Sequence, residues 1–439
     1  MYAGFFALLL FGSFFDSPKA TFAASVTFKP TTPSLGVPEN IQHLWANFAP
    51  YFAAAEYPAP PPGCVINQVE RHGARFPTAS NGAQIQSTVQ KLQAVRDFKV
   101  PRLEFLRNFT YDLGHDDLVP FGAAQSFDAG QLHFVRYSEL ISPNKLPFVR
   151  STSAQRVVDS ATNWTAGFSF ASQNRFTPVL SVVLSESAND TLDDSSCPDA
   201  GSGDEQTNVW QAIYTAPLHA FFEQAAPGAN LTDTDISNLI ALCPFETVAK
   251  EKPSQFCDLF NQTTFEGFEY FEDLGKFYGN GYGQELGPVQ GVGYVNELIA
   301  RLTNSPVQDA TQTNRTLDSS PQTFPLDRTI YADFSHDNQM ISIYSAMGLF
   351  RPAQPLSTTT PDPRRTWLAS KLVPFSAKLV TERLECDRKQ FVRILVDDSL
   401  QPLELCGGDK NGLCELDAFV QSQGFARSNG GGLFQRCFA

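Results

Sequence analysis

The 439-residue sequence has few basic residues for its length. Lysine and arginine together number 32 against 46 aspartates and glutamates, so the formal net charge at pH 7 is −14. This balance excludes the basic face with which proteins bind nucleic acid. A negative surface favours solubility and repels an anionic substrate at long range. Any anion site must therefore carry its own local positive charge.

Long apolar runs are also scarce, and this excludes a membrane span in the body of the chain. The first stretch, MYAGFFALLLFGSFF, is short for a span and is followed at once by Asp16. It lacks the usual preceding positive charges, but the small residues Ala20, Ala23 and Ala24 follow where cleavage would occur. We therefore predict that residues 1–24 are a signal peptide rather than a membrane anchor.

No C-x-x-C pair occurs, which disfavours the zinc sites that use close thiol pairs. The eight cysteines are an even number, which in a secreted chain indicates disulfides. Eight cysteines allow about a hundred pairings, so sequence alone does not determine the connectivity. Cys243 with Cys257, and Cys406 with Cys414, are near enough in sequence to close short loops.

Glycosylation acceptors indicate secretion independently of the cysteines. The chain has six Asn-x-Ser/Thr sites, more than chance alone suggests. They are Asn108, Asn163, Asn189, Asn230, Asn261 and Asn314.

The chain opens, after the signal peptide, with residues 25–63, which are rich in proline and alanine and end in PAPPPG. This composition predicts an extended arm laid over the domain. The short β-branched run CVINQV, 64–69, predicts a buried strand. QIQSTVQKLQAV, 84–95, has apolar residues at helical spacing. The stretch RHGARFPT therefore lies at a strand-to-helix turn.

A second strand-to-helix turn lies far downstream. RTIYADFS, 328–335, predicts a strand, and HDNQ and a helical pattern follow it. Between the two turns, 156–324 has several helical patterns and predicts a mainly helical inserted domain. The segments 64–155 and 325–439 would then form one α/β domain. Ligands of open α/β sheets bind beyond the carboxyl ends of the strands, so we expect the two turns to meet there.

The stretch QVERHGARFPT, 68–78, places Arg71, His72 and Arg75 close together. Arginine is always charged and binds phosphate in a bidentate manner. Gly73 lets the backbone approach a ligand closely. The pattern favours a phosphate site over its alternative, a plain polar loop after a strand.

The same residues predict a nucleophile. Like charges disfavour an imidazolium, so the pKa of His72 between two arginines should be lowered. Neutral imidazole is a nucleophile and can attack phosphorus. Asp337, beside His336 at the second turn, is placed to protonate the leaving alkoxide as general acid. Guanidinium groups can neutralise the transition-state charge, so no metal or other cofactor is required.

Three alternatives are open on pattern alone. His72, His336 and Asp337 are possible metal ligands, although the flanking arginines disfavour a cation. Asp337 precedes an apolar helical run, so it could serve only as a helix N-cap. Arg150, in PFVRSTSAQRVVDS, is either a surface charge or a third phosphate ligand at a strand end.

RHGARFP matches the R-H-G-x-R-x-P signature of the histidine acid phosphatases, and SHDN matches their H-D element. PFVRSTSAQRVVDSATNW, LGPVQGVGYVNELIARLT and FPLDRTIYADFSHDN closely resemble stretches of the secreted fungal phytases. The resemblance runs from about His43 to the C-terminus. It is nearest to the basidiomycete type, which is usually a 6-phytase.

The resemblance implies roles for individual residues. His72 is the nucleophile that becomes phosphohistidine, and Asp337 is the proton donor. Arg150 matches the family arginine better than Arg156, because it follows the apolar end of a strand. The residues that hold or line the substrate are Arg71, Arg75, Thr78, Arg150, Lys276 and His336, of which Lys276 would hold a distal phosphate. In HLWANFAPYF, 43–52, Phe48 stands where the family often has tyrosine at the pocket rim.

The resemblance also implies a fold and a disulfide pattern. The family has a large α/β domain with a mixed, mostly parallel sheet flanked by helices, plus a smaller helical domain. Its pairs would be Cys64–Cys386, Cys197–Cys437, Cys243–Cys257 and Cys406–Cys414. Some relatives have a further N-terminal disulfide, whereas this chain has no cysteine before Cys64.

The function implied is a secreted, metal-independent acid phosphomonoesterase that hydrolyses phytate (myo-inositol hexakisphosphate) stepwise. A broad-specificity acid phosphatase is the main alternative. A phosphoglycerate mutase is disfavoured by the secretion features. A non-enzymatic binding glycoprotein is disfavoured because the catalytic set is complete. We expect a monomer that acts on small phosphate esters and binds neither nucleic acid nor membrane.

Overall fold

The structure, a computed structural model, describes residues 28–59, 64–386 and 388–439, without the side chains of Cys64 and Cys386. The predicted signal peptide lies outside the described residues. Within them, no helix is long and apolar enough to cross a membrane.

The described residues contain one eight-stranded sheet in the order β3-β2-β4-β1-β5-β6-β7, with β8 beside β6. The strands are β1 (Cys64–Arg71), β2 (Phe148–Thr152), β3 (Leu180–Leu184), β4 (Ile330–Ser335), β5 (Lys378–Cys386), β6 (Lys389–Val396), β7 (Ser399–Leu400) and β8 (Cys414–Glu415). The longer α-helices are α2 (Ala79–Gln93), α3 (Pro120–Tyr137), α4 (Gln155–Ala171), α5 (Asp204–Ala225), α6 (Asp233–Lys250), α7 (Gln262–Gly279), α8 (Val292–Thr303) and α10 (Asp337–Met347). The shorter ones are α1 (Glu39–Gln42), α9 (Arg315–Asp318), α11 (Ala369–Leu372), α12 (Leu416–Ser422) and α13 (Gly424–Arg427).

The sheet is mixed and flanked by helices, as predicted. Strand β4 pairs in parallel with β1 and β2, and β2 with β3. The later strands β5 to β8 pair antiparallel. Parallel pairing therefore prevails only in the half that carries the two turns. The other half is antiparallel because short connections, such as the one between β6 and β7, can join only antiparallel neighbours.

Strands β1 and β4 lie side by side near the middle of the sheet, which explains why their polar as well as their apolar residues are buried. All six residues of β4 are buried, and Ile66 and Val69 of β1 are fully buried. On one face, Val149 of β2 and Phe334 of β4 pack against Trp164 of α4. Side chains alternate along a strand, so the neighbours of these residues point to the opposite face. That face carries α8 and α10.

The stretch 156–324, interpreted as a mainly helical insertion, also supplies part of the sheet. It contains α5 to α8, but it also contains β3, which pairs with β2. Strand β3 lies at the edge of the sheet and is alternately half-buried and exposed up to its last residue, Leu184, which is buried. The division of the chain into an α/β domain and an inserted domain stays a prediction.

The described part of the N-terminal arm joins the core. Trp45 and Ala49 are fully buried. The arm is also fastened at its start, because the carboxylate of Asp128 in α3 accepts hydrogen bonds from the backbone N–H groups of Thr31 and Thr32 at 2.8–3.0 Å. Both threonine hydroxyls donate to the same carboxylate. These bonds hold an arm that has no cysteine of its own.

Three disulfides implied by the resemblance are present. They are Cys197–Cys437, Cys243–Cys257 and Cys406–Cys414. The first joins residues 240 positions apart and so connects the helical region to the C-terminus. The fourth predicted pair, Cys64–Cys386, lies outside the described side chains and stays a prediction.

Candidate active site

The two predicted turns meet at one edge of the sheet. Strands β1 and β4 are parallel neighbours in a register that pairs Arg71 with Ser335, the last residue of each strand. The chain therefore leaves both strands at the same level. The rings of His72 and His336, which follow, have their centroids 5.5 Å apart. Parallel pairing thus joins two sequence motifs that are far apart along the chain.

The turn after β1 is held by the start of α3. A Cβ atom added to Gly73 would lie 2.2 Å from the carbonyl oxygen of Gly122, so no larger residue fits there. The N–H of Gly73 donates to Ser160 Oγ at 3.0 Å, and that of Ala74 donates to Gln125 Oε1 at 2.9 Å. Gly73 therefore lets the turn pack closely on its neighbours.

His72 is a buried, neutral imidazole. Its Nδ1 lies 2.8 Å from the carbonyl oxygen of Gly73. A carbonyl oxygen only accepts, so Nδ1 carries the proton and Nε2 keeps a free lone pair. Burial, then the charges of Arg71, His336 and Arg75, hold the pKa of His72 well below its usual value. The predicted effect of the arginines is present, but burial is the larger cause.

Arg71 and Arg75 flank this imidazole from buried positions. Arg71 Nη1 donates to the backbone carbonyls of Asn47 and Val373, the latter at 2.6 Å. Arg75 Nη1 donates to the carbonyl of Phe76 at 2.8 Å. These backbone contacts neutralise no charge, and Arg75 makes no ion pair among the described residues, so its positive charge is available for an anion. Arg71 Nη2 also lies 3.1 Å from Asp337 Oδ2.

Arg150 does not line the site, so the prediction that it binds phosphate is wrong. Its Nε lies 2.8 Å from Asp333 Oδ1, and its Nη2 lies 2.6 Å from Glu297 Oε2. Val149 faces α4, so its neighbour Arg150 faces α8, where Glu297 lies. Arg150 and Arg301 outweigh the effect of burial and lower the pKa of Asp333 to about 2. The guanidinium of Arg150 is therefore used in a buried ion-pair network.

Arg156, which the sequence analysis set aside, takes the place at the site. It is the second residue of α4, and its Nη2 lies 3.4 Å from His336 Nδ1. Its charge also helps to lower the pKa values of His72, Arg71 and Arg75. Its position in the first turn of a helix after a parallel strand was the available sequence signal.

The three arginines at the site have buried donors without a partner. The Nε atoms of Arg71, Arg75 and Arg156 are buried and make no hydrogen bond within the described part of the chain. The Nε atoms of Arg301 and Arg328, away from the site, share this feature, so the distinguishing observation is that three such donors gather around one imidazole. Three of them around one imidazole form a site suited to an anion with several oxygens.

Asp337 is the first residue of α10, and His336 is the N-cap, so the N-cap alternative is wrong. Asp337 Oδ2 accepts from Asn47 Nδ2 at 3.0 Å and from Lys276 Nζ at 2.8 Å, and it lies 3.1 Å from Arg71 Nη2. Burial raises the pKa of Asp337, but Arg71 and Lys276 outweigh it and hold that pKa well below its usual range. The carboxyl is therefore ionised in the free protein.

Lys276 of α7 connects the acid to an adjoining cavity. Its Nζ also donates to Asn338 Oδ1 at 2.7 Å. Lys276, Asn338, Glu272 and Asp194 line a cavity of about 420 Å³. Burial raises the pKa of Glu272 to about 7, although the charge of Lys276 opposes this. A contact between Lys276 and a distal phosphate stays a prediction.

Two further predictions, for Thr78 and Phe48, concern the surroundings. Thr78 is the N-cap of α2, where its Oγ1 accepts from the N–H of Asn81 at 3.3 Å, and its place in the pocket stays a prediction. Phe48 packs against Phe245, with ring centroids 4.7 Å apart. Its neighbour Asn47, which the sequence analysis missed, is the arm residue that reaches the acid.

The alternative in which His72, His336 and Asp337 bind a metal is not supported in the described part of the chain. Among the described residues, the group with metal-ligand spacing is Glu186, Asp193 and His336, whose ligand atoms lie within 4.8 Å of one another. Neither His72 nor Asp337 belongs to it. His336 Nε2 lies 3.1 Å from Glu186 Oε1, so a carboxylate occupies that nitrogen already.

Replacing Arg150 or Arg156 by methionine should distinguish the structural ion pairs of Arg150 from the phosphate-binding role of Arg156. We expect Arg156→Met to lower kcat/KM for a phosphate ester by about 100-fold or more, because it removes donors to transition-state charge. Its thermal unfolding should stay close to that of the wild type. Arg150→Met should cost about 3 kcal/mol of stability, because it leaves Glu297 buried and unpaired. Kinetics and thermal unfolding of both variants check this, and a reversed pattern would restore Arg150 as the phosphate ligand.

Comparison with known proteins gives the family. The sequence model of the histidine phosphatase superfamily (branch 2) matches residues 66–397. Phytase A of Arthroderma benhamiae is 41% identical, with 93% of this chain and 95% of that protein covered. Phytase A of Emericella nidulans is 40% identical, with 91% of each chain covered.

Solved structures agree on the fold. The phytase from D. castellii has a TM-score of 0.73 at 20% identity, with 89% of this chain and 86% of that chain covered. A multiple inositol polyphosphate phosphatase of Bifidobacterium longum, in complex with inositol hexasulfate, has a TM-score of 0.64 at 14% identity, with 85% and 96% covered. The chain belongs to branch 2 of the histidine phosphatase superfamily.

Proposed function

We propose that this protein is a secreted acid phosphatase that hydrolyses phytate stepwise to lower inositol phosphates and phosphate. The observation that carries the proposal is the neutral imidazole of His72 amid three arginines with buried, unpartnered Nε donors. An imidazole with a free Nε2 is a nucleophile, and guanidinium groups stabilise phosphoryl charge. The relatives named Phytase A, about 40% identical over most of the chain, support the substrate.

The first step transfers the phosphoryl group to the protein. Arg71, Arg75, Arg156 and His336 hold the scissile phosphate, and His72 Nε2 attacks phosphorus. The bond between phosphorus and the ester oxygen breaks, and the leaving alkoxide takes a proton from Asp337. In the second step, water attacks the phosphohistidine, Asp337 takes a proton from that water, and His72 leaves. Each step conserves charge and protons, and neither requires a metal.

The charge on Asp337 explains why acid pH suits this reaction. In the free protein Arg71 and Lys276 keep this carboxyl ionised. A bound phosphate compensates the arginine charge, which removes the main reason for the low pKa. A phosphate ester loses its second proton at about pH 6, so below that pH it enters as a monoanion. The substrate can then bring the proton that Asp337 later donates.

The cavity beside Lys276 supports a substrate with several phosphates. It lies next to the catalytic acid and offers a lysine and amide side chains. Glu272, with a pKa of about 7, is mainly uncharged in acid and would therefore not repel phosphate groups there. Burial also raises the pKa of Asp194. A single lysine is modest support, so a broad-specificity acid phosphatase is the second candidate.

The finer assignments belong to the same proposal. We propose the 6-phytase type on the resemblance to basidiomycete sequences, and secretion on the signal peptide, the acceptor asparagines and the disulfides. We also propose that the protein is a monomer. Identification of the first inositol pentakisphosphate product by NMR would test the 6-phytase type directly.

Phosphate release from phytate and from p-nitrophenyl phosphate, each with EDTA, tests the main proposal. We expect turnover of both between about pH 3 and pH 6, unchanged by EDTA, with higher kcat/KM for phytate. Turnover of the small ester alone would assign a general acid phosphatase. Loss of activity with EDTA, restored by a divalent cation, would contradict the metal-free mechanism.

A further inference from the structure

The carboxylate of Glu186 occupies a position that no part of the proposed mechanism uses. Glu186 follows β3, two residues after its end. Its Oε1 accepts from Thr152 Oγ1 at 2.9 Å and from the N–H of Ala154 at 3.0 Å, and it lies 3.1 Å from His336 Nε2. One oxygen atom therefore joins three chain segments.

Two of those segments deliver residues to the phosphate site. Ala154 is the N-cap of α4, whose second residue is Arg156. His336 is the N-cap of α10, whose first residue is Asp337. Neither N-cap side chain makes a capping hydrogen bond. The carboxylate of Glu186 is thus an external link between the starts of both helices.

The contact with His336 also sets its chemistry. An ionised carboxylate only accepts, so Nε2 of His336 carries a proton and its Nδ1 is left for the site. That Nδ1 lies 3.4 Å from Arg156 Nη2, on the side where the arginines gather. The hydrogen bond with His336, though opposed by burial, lowers the pKa of Glu186 to about 2, so the carboxylate stays charged in acid.

The neighbouring acids do not share this geometry. Asp193 Oδ1 lies 3.8 Å from His336 Nε2, beyond hydrogen-bonding distance. Asp190 Oδ2 lies 2.7 Å from Thr152 Oγ1, the hydroxyl that also faces Glu186, and burial raises the pKa of Asp190 to about 6. The charged and titratable groups that face His336 are Glu186, Asp193, Asp194, Arg156, His72 and Asp337.

We propose that Glu186 is a positioning residue that holds His336 with its Nδ1 directed at the scissile phosphate and aligns the start of α4 that carries Arg156. It touches no substrate and acts through these two residues. A fixed carboxylate behind a histidine selects the tautomer and fixes the orientation of the ring, as in other histidine–carboxylate pairs. The inference rests on the proposed phosphatase function, but it does not depend on phytate as the substrate.

Three variants test the proposal with p-nitrophenyl phosphate and with inorganic phosphate as competitive inhibitor. Glu186→Gln keeps an acceptor oxygen but removes the charge, so we expect kcat/KM to fall about tenfold. The inhibition constant for phosphate should rise by a similar factor. Glu186→Ala removes all three contacts, so its kcat/KM should fall further. Asp193→Asn is the matched control near the same nitrogen of His336, and its kcat/KM should fall far less.

The readouts separate positioning from a purely structural role. A structural role would lower the melting temperature of Glu186→Ala and leave the inhibition of Glu186→Gln by phosphate unchanged, which would overturn the proposal. Calorimetric titration of inorganic phosphate into each variant measures the site without turnover. If the wild type hydrolysed neither phytate nor p-nitrophenyl phosphate, the proposed function would fail. Weaker binding of inorganic phosphate by Glu186→Gln would in that case still support the positioning role of Glu186.

Discussion

Replacement of His72 by alanine is expected to abolish phosphate release from both phytate and p-nitrophenyl phosphate. His72 Nε2 is the nucleophile of the proposed mechanism, and without it no phosphohistidine can form. Loss of a catalytic nucleophile typically costs at least about four orders of magnitude in kcat. Steady-state kinetics measure this loss. With a substrate that is labelled on its phosphate, rapid quenching in alkali, where phosphohistidine survives, should recover label on the wild-type protein and none on the variant.

The fold should tolerate this change. The backbone N–H of His72 donates to Ser335 at 3.1 Å, and its carbonyl accepts from the N–H of Ser376 at 3.0 Å, and alanine keeps both contacts. His219, which pairs with Asp233 away from the site, supplies the matched control. His219→Ala should retain near-wild-type activity. Activity of His72→Ala within about tenfold of the wild type would show that another group attacks phosphorus.

Replacement of Asp337 by asparagine is expected to slow phytate hydrolysis far more than hydrolysis of p-nitrophenyl phosphate. The alkoxide of an inositol is a poor leaving group and needs a proton, whereas p-nitrophenolate leaves without one. General acid catalysis typically contributes 10²–10⁴-fold, so we expect a loss of about that size on phytate. On the nitrophenyl ester we expect a loss below about tenfold in the transfer step. Single-turnover kinetics measure that step apart from dephosphorylation.

The geometry makes asparagine a conservative replacement here. An amide oxygen can take the place of Oδ2, which faces Asn47, Lys276 and Arg71. Asp327, whose side chain is largely exposed, offers the same exchange as a control, and Asp327→Asn should change neither rate. Equal losses of Asp337→Asn on both esters in the transfer step would count against the role of Asp337 as general acid.

The local sequence pattern was sufficient to predict chemistry that arises between neighbours within a single turn of the chain. His72 lies between Arg71 and Arg75 in the sequence itself, so its lowered pKa follows from neighbours that are always nearby. Burial, the larger cause, depends on the packing of distant segments and has no local signature. The same holds for Asp337, where the N-cap and general-acid interpretations differ only in which side chains surround the carboxyl.

Arg150 and Arg156 show where local pattern fails. They lie six positions apart: Arg150 lies within β2, and Arg156 follows that strand at the start of α4. The choice between them depends on two residues that are distant in sequence. Asp333 of β4 and Glu297 of α8 both pair with Arg150. A guanidinium that already contacts two buried carboxylates has no free charge for phosphate. The sequence showed two arginines but not which of them was already paired.

The sequence by itself determined the motif chemistry of this protein, the buried strands that carry both motifs and the cysteines of three observed disulfides. These depend on side-chain type and short-range periodicity, which a single chain displays directly. Only the tertiary structure decided which arginine is free, that Asn47 of the arm reaches the acid, and that Glu186 links the starts of α4 and α10. Those features arise from contacts between segments separated by many residues, and such contacts are set by the register and packing of the whole sheet.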